Sequence, residues 1–240
     1  MLKSAVLRMA AMALCANVAA AQWNPAATMM LGQGYGQIAL SQSILSGTQL
    51  MLGDVATSSA HRGTARGESG LTYVPDSNES GRIRAAMIES VSRNNAALRP
   101  QIEQAFAGNA ALKTFDHLMS ALGYSSHNIA DDFAMLLLVS WEIATDGQAT
   151  RSQIEGAARQ VNRAFSMSPQ LLTLSNAQRQ EMAEDIAYQV VLGMAAKREY
   201  VRTGDQAQLA HLRELAASIM KRQGFDLRDL QLTDQGFSRK

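Results

Sequence analysis

Residues 133–141 read FAMLLLVSW, a stretch that is apolar almost all the way round when wound into a helix. A helix with no broad polar stripe has neighbours on every side, so this segment predicts the centre of a helical core. Asp131 and Asp132 precede it, Glu142 follows it, and Asp146-Gly147 ends it. The run is too short and too closely flanked by charge to cross a bilayer, which takes about 20 apolar residues.

Helical periodicity extends outward on both sides. Upstream, Ile83, Met87, Val91 and Leu98 recur at mostly three- and four-residue steps from Arg82 onward. Pro100 opens a short helix carrying Ile102 and Phe106, which Gly108-Asn109 stops. A further helix from about Ala110 to Leu122 places Leu112, Phe115, Met119 and Leu122 on one face, with Gly123 as its C′ residue. Downstream, two capping boxes open helices: Thr150 with Gln153, and Ser175 with Gln178. The first carries Ile154, Ala158, Val161 and Phe165 and closes at Ser168-Pro169. The second is the longest, to about Arg202, with Met182, Ile186, Val190 and Met194 four apart. Gly204-Asp205 turns into a last helix bearing Leu209, Leu212, Leu215, Ala216 and Ile219, ended by Gly224. No strand-period run of comparable strength follows residue 81. The expected fold is all-α, a single bundle of about six or seven helices. Phe225, Leu227, Leu230 and Leu232 predict that the C-terminal tail packs back on it.

The N-terminal part differs in character. Lys3 and Arg8, the apolar stretch Met9 to Val18 and Ala19-Ala20-Ala21 form a signal-peptide pattern with cleavage after Ala21. Lipid attachment at Cys15 is disfavoured because Leu14 stands where a small residue is wanted. Cleavage of residues 1–21 leaves 219 of the 240 residues and removes the one cysteine, so no disulfide is expected. Residues 22–80 read as a flexible arm and linker, rich in Gly, Gln, Ser and Met, with the stretch Ser58 to Gly81 poor in apolar residues. The helical domain is then 81–240. Deleting 22–80 is expected to leave its stability nearly unchanged.

Charge narrows the function classes. Removing Lys3 and Arg8 from 22 basic residues leaves 20 against 21 acidic, a formal net of −1. No dense basic stripe marks a nucleic-acid surface, and Lys197-Arg198 and Lys221-Arg222 sit where helix C-termini favour cations. His127 and Asp131 are four apart, but a single pair falls short of the three or four ligands a metal requires, and first-turn acids at Asp131 and Asp132 suit the helix dipole. Glu142 beside Trp141 is the most suggestive single acid, since burial would raise its pKa, but glutamate is rarely fully buried and its expected place is the narrow solvent-facing strip. There is no GxSxG elbow, no SxxK and no cysteine after residue 21. Gly32-Gln33-Gly34-Tyr35-Gly36 lacks the preceding strand and GK[ST] ending of a phosphate loop. The thirteen methionines are mostly single residues on apolar faces, where they act as core fillers rather than copper ligands. No cofactor and no metal site is expected.

From Arg82 to Phe237 the chain resembles a family of exported proteobacterial proteins known only as a domain of unknown function. The resemblance lies in LRPQIEQAFAG (98–108), FAMLLLVSWEIATDG (133–147), QRQEMAEDIAYQ (178–189) and GFDLRDLQLTDQGF (224–237). It implies a signal peptide, a variable N-terminal arm and a helical domain, and it assigns no catalytic residue.

Two functions are compatible with these features. The first is a non-catalytic binding or structural module of the cell envelope, periplasmic or extracellular, contacting a protein or envelope partner through the arm, where Trp23 and Tyr35 stand among Gly and Gln. It would have no transmembrane segment after signal cleavage. The alternative is a small secreted hydrolase with its site at one end of the central helix. His127 and Asp131 stand at one end, and Trp141, Glu142 and Asp146 at the other, with His117 or His211 as a possible completing residue.

Overall fold

A computed structural model describes residues 70–92, 96, 99–222 and 224–240. The expected signal peptide and most of the expected arm lie outside the described residues. Among the described residues, seven helices of seven or more residues build the fold: α1 Ser77–Ser92, α2 Arg99–Ala105, α3 Ala110–Leu122, α4 Ile129–Thr145, α5 Arg151–Ser166, α7 Asn176–Thr203 and α8 Gln206–Arg222. The four-residue α6, Pro169–Leu172, links α5 to α7. The chain ends in a hairpin of β1, Leu230–Thr233, and β2, Gly236–Arg239.

The apolar α4 is the centre, as its composition predicts. Twelve of its side chains are buried, from Ile129 to Ile143. They pack against α5, α7 and α8. Full burial of one Leu or Phe contributes about 1.5–3 kcal/mol, so this helix anchors the core. Its ends are set locally. The Asn128 side chain accepts from the Ala130 N–H at 3.0 Å, and Asp146 closes the helix in the left-handed conformation at φ 57°. Both predicted capping boxes form, at Thr150 with Gln153 and at Ser175 with Gln178. Gly123 ends α3 at φ 86°.

Two features depart from the sequence reading. The first is the hairpin, an antiparallel pair in an otherwise helical fold with Leu232 opposite Phe237. Each strand has four residues, too few for a period-two pattern to stand out. Its stability comes from α5, whose Gln153, Gly156 and Gln160 share one face. Gln160 accepts from the Phe237 N–H at 2.8 Å and donates to the Phe237 carbonyl at 2.9 Å. Gln153 donates to the Leu232 carbonyl at 2.9 Å. Between them, a Cβ on Gly156 would lie 2.4 Å from the Asp234 carbonyl oxygen, so glycine is what allows the turn to approach. The tail residues Phe225, Leu227, Leu230 and Leu232 are all buried, as expected.

The second concerns residues 70–80, expected to be linker. They belong to the folded body. Leu71 is fully buried, its carbonyl accepts from the Ile129 N–H at 3.1 Å, and the Tyr73 N–H donates to the His127 carbonyl at 3.1 Å. Val74 is clasped by Asn176, which accepts from its N–H and donates to its carbonyl, both at 2.8 Å. Asp76 then caps α1, accepting from the Asn78 N–H at 2.8 Å. Gly, Ser and Pro residues suggested a linker, but Pro75-Asp76 is a helix start, and Leu71 and Tyr73 supply the apolar anchors.

Candidate functional site

The two ends of α4 carry the expected candidates, and the structure keeps them apart. At the N-terminal end, Asp131 accepts from the Asn162 amide at 2.8 Å and from the Ser125 N–H at 3.5 Å. Burial raises its pKa, while these two bonds oppose the rise. His127 is exposed and stands edge-on to Tyr73, ring centroids 5.3 Å apart. Its neighbour in the sequence pattern, Asp131, is committed to α5 instead. His117 and His211 are exposed on α3 and α8.

At the C-terminal end, Glu142 is partly buried, and its carboxylate accepts from the Ala149 N–H at 2.8 Å. Burial raises its pKa, opposed by that bond and by Lys197. Lys197 donates to the Glu142 carbonyl at 2.8 Å and lies 3.6 Å from Asp146, which also pairs with Arg213 at 3.0 Å. Trp141 packs over Gly147, where a Cβ would lie 2.5 Å from its ring, and edge-on to Phe237. Glu142 therefore ties the α4–α5 loop to the helix end.

The groups under greatest electrostatic stress are elsewhere. Asp132 follows Asp131 by about 100° around α4 and so turns into the core. It is fully buried, and neither carboxylate oxygen has a hydrogen-bond partner. Burial, reinforced by Asp131, pushes its pKa well above the usual carboxylate range, and an unpaired charge there is far more costly than an added proton. Tyr73 covers this end of α4. Its hydroxyl donates to the Ser126 carbonyl at 3.2 Å, and its pKa is raised by burial and then by the charges of Asp132, Glu184 and Asp116.

Glu184 lies on α7, in a nearly buried chain of polar groups that ties α1 to it. Ser80 Oγ donates to Glu184 Oε1 at 2.5 Å. The Gln180 amide donates to the same oxygen at 2.8 Å and to the Asp76 carbonyl at 2.8 Å, while its own oxygen accepts from the Asp76 N–H at 2.9 Å. Glu184 Oε2 has no partner, nor has the hydroxyl of the buried Tyr188 one turn further on. Asp185 stands beside them, its pKa raised to about 7 by burial and by Glu181 and Glu184, with Arg82 acting against the rise.

Sequence reasoning missed Asp132, Glu184, Gln180 and Tyr73. The available signal was geometric. On a helix apolar all round, an acid one turn inside has nowhere to face but the core. In α7, Gln180, Glu184 and Tyr188 repeat at four-residue spacing on a face distinct from the Met182–Ile186–Val190 stripe. Chemically, the arrangement seals one carboxyl group, that of Asp132, from solvent, where burial favours its neutral form. Among the described residues, no three His, Cys, Asp or Glu side chains gather to hold a metal ion. No helix among them is long and apolar enough to cross a membrane.

No curated protein and no solved structure matches the chain. A family model described as "Family of unknown function (DUF6683)" matches residues 1–240. The chain therefore belongs to that family, which spans its full length.

Proposed function

We propose that this chain is a non-catalytic binding module that acts outside the cytoplasm, on a protein or another component of the cell envelope. The observation that carries the reading is the employment of the expected catalytic groups. Asp131 is bonded to α5 and Glu142 to the loop after α4, and the two residues stand about 17 Å apart along that helix at about 1.5 Å per residue. Side chains so engaged serve the fold. The export pattern at Lys3, Arg8 and Ala19-Ala20-Ala21 supports the location.

Binding has a candidate surface. Leu172, 38% exposed, lies against Gly70, where a Cβ would be 2.9 Å from it, and Val74, 74% exposed, follows in the same N-terminal segment. Met167, 48% exposed, starts the same α5–α7 connection. Large apolar side chains left in water beside the N-terminal arm suit a contact surface.

The test is an affinity capture from the envelope fraction with the protein beginning at Gln22, beside a Val74→Asp/Leu172→Asp variant. A partner held by the first and lost by the second supports the reading. Capture by neither, together with hydrolysis of a model ester or peptide that Glu142→Gln abolishes, replaces it with the secreted hydrolase.

A further inference from the structure

Two buried polar groups on one face of α7 are unpaired within the protein. Glu184 Oε2 and the Tyr188 hydroxyl each lack a hydrogen-bond partner, although the two residues are only 4% and 1% exposed. They stand four residues apart, the spacing that makes side chains neighbours on a helix. Long side chains lean back over the preceding turn, which carries the tyrosine hydroxyl toward Glu184. Burial, and then the nearby charge of Glu184, raises the Tyr188 pKa.

The two groups are complementary, since a carboxylate oxygen accepts and a phenolic hydroxyl donates. Each is nevertheless held in place by other contacts. Glu184 Oε1 accepts from Ser80 Oγ at 2.5 Å and from the Gln180 amide at 2.8 Å, which fixes the carboxylate. Gln180 is itself anchored on the Asp76 carbonyl at 2.8 Å and on Ser80 Oγ at 3.0 Å. The Tyr188 ring lies against Phe106, just beyond α2, with ring centroids 4.9 Å apart. Ser80 brings α1 down on Glu184, and Ile83 in the same helix is buried. Where buried polar groups are pinned short of each other, an internal water commonly completes their hydrogen bonds.

We propose that Glu184 and Tyr188 form a buried binding site for one water molecule at the junction of α1 and α7. The water donates a hydrogen bond to Glu184 Oε2 and accepts one from the Tyr188 hydroxyl, so both groups are satisfied. One carboxylate oxygen and one phenol suit a water, whereas a hard cation takes six or more oxygen ligands. The guest joins Tyr188 to the Asp76–Gln180–Ser80–Glu184 chain and carries that chain one turn further along α7. Its walls come from α1, α7 and Phe106, so it exchanges with bulk solvent only when this junction opens.

Oxygen-17 relaxation dispersion of the full chain counts the internal waters that exchange slowly with bulk. Tyr188→Phe keeps the ring and removes the hydroxyl, and it should lower that count by about one. A high-resolution crystal structure of the full chain should show a single solvent peak about 2.5–3.0 Å from both Glu184 Oε2 and Tyr188 Oη. That structure decides the matter even if Tyr188→Phe disturbs folding. A count unchanged in a folded Tyr188→Phe overturns the proposal. So does a crystal structure with no peak between the two atoms, with Oη bonded directly to Oε2, or with a metal ion in the site.

Discussion

Ser80 in α1 and Glu184 in α7, 104 positions apart in the chain, are joined by a 2.5 Å hydrogen bond in a site nearly closed to water. The bond spans the junction between the N-terminal segment and the long helix, and it satisfies one oxygen of a carboxylate whose other oxygen has no partner.

Replacing Ser80 with alanine leaves Glu184 with Gln180 as its remaining donor in this chain. A buried charge-assisted bond contributes about 1.5–3 kcal/mol, and leaving its partner unsatisfied costs a similar amount. Ser80→Ala should therefore lower the urea midpoint by an amount corresponding to about 1–3 kcal/mol. A double-mutant cycle with Glu184→Gln should give a coupling above about 0.5 kcal/mol. Strict additivity of the two changes would show that the bond contributes nothing.

Truncation distinguishes the true edge of the fold from the one suggested by composition. Removing residues 22–69 takes away a stretch rich in Gly, Gln, Ser and Met, a composition with little apolar surface to bury. Removing 22–80 deletes Leu71, Tyr73, the Asp76 cap and Ser80, all tied to α4 or α7. Losing one buried Leu alone costs about 2–5 kcal/mol. The shorter deletion should leave thermal unfolding almost unchanged, and the longer one should lower the midpoint sharply or prevent folding. Equal midpoints for the two would detach residues 70–80 from the core.

The hairpin makes a more local prediction. Gly156→Ala sets a methyl group against the backbone of Asp234, which can move only by lifting the turn from α5. Overpacking of this kind costs about 1–3 kcal/mol. Gln160→Ala removes both side-chain bonds to Phe237 without adding bulk. Either change should loosen the contact of Phe237 with Trp141 and shift tryptophan emission toward the red. Unaltered emission in both variants would show that the hairpin stays seated without them.

What was legible in the sequence is what local patterns encode. The all-apolar turns of α4 fixed its central place, and the hydroxyl–Gln pairs at Thr150 and Ser175 marked two helix starts because capping is settled within four residues. Long-range partners were not legible. Leu71 and Tyr73 bridge to residues beside Asn128, and nothing within their own neighbourhood announces that pairing. Asp131 and Asp132 look alike as first-turn acids, yet one helical step separates a carboxylate bonded to Asn162 from one sealed in the core. Glu142, chosen for its place beside Trp141, holds a loop through the Ala149 N–H, a role visible only once α5 is in place.

Asp132 gives the fold an unusual response to pH. Its folded pKa is raised, as are those of Asp185, Glu142 and Asp131, whereas Glu79, Glu199 and Asp226 are lowered by exposed partners that solvent screens. A carboxyl whose folded pKa is raised gives stability that is full below its unfolded value near 4 and is lost as pH rises through the folded value. For Asp185 that window runs from about 4 to about 7, and for the fully buried Asp132 it extends upward from the same lower edge. The unfolding midpoint should thus fall as the solution passes from mildly acidic to mildly alkaline, the opposite of a fold held by paired surface carboxylates. Asp132→Asn keeps the shape but carries no proton to lose, so its midpoint should vary less with pH and exceed that of the wild type on the alkaline side. Parallel curves for the two proteins would mean that Asp132 keeps the same protonation in the folded and unfolded chain, and would remove the buried acid as a source of pH sensitivity.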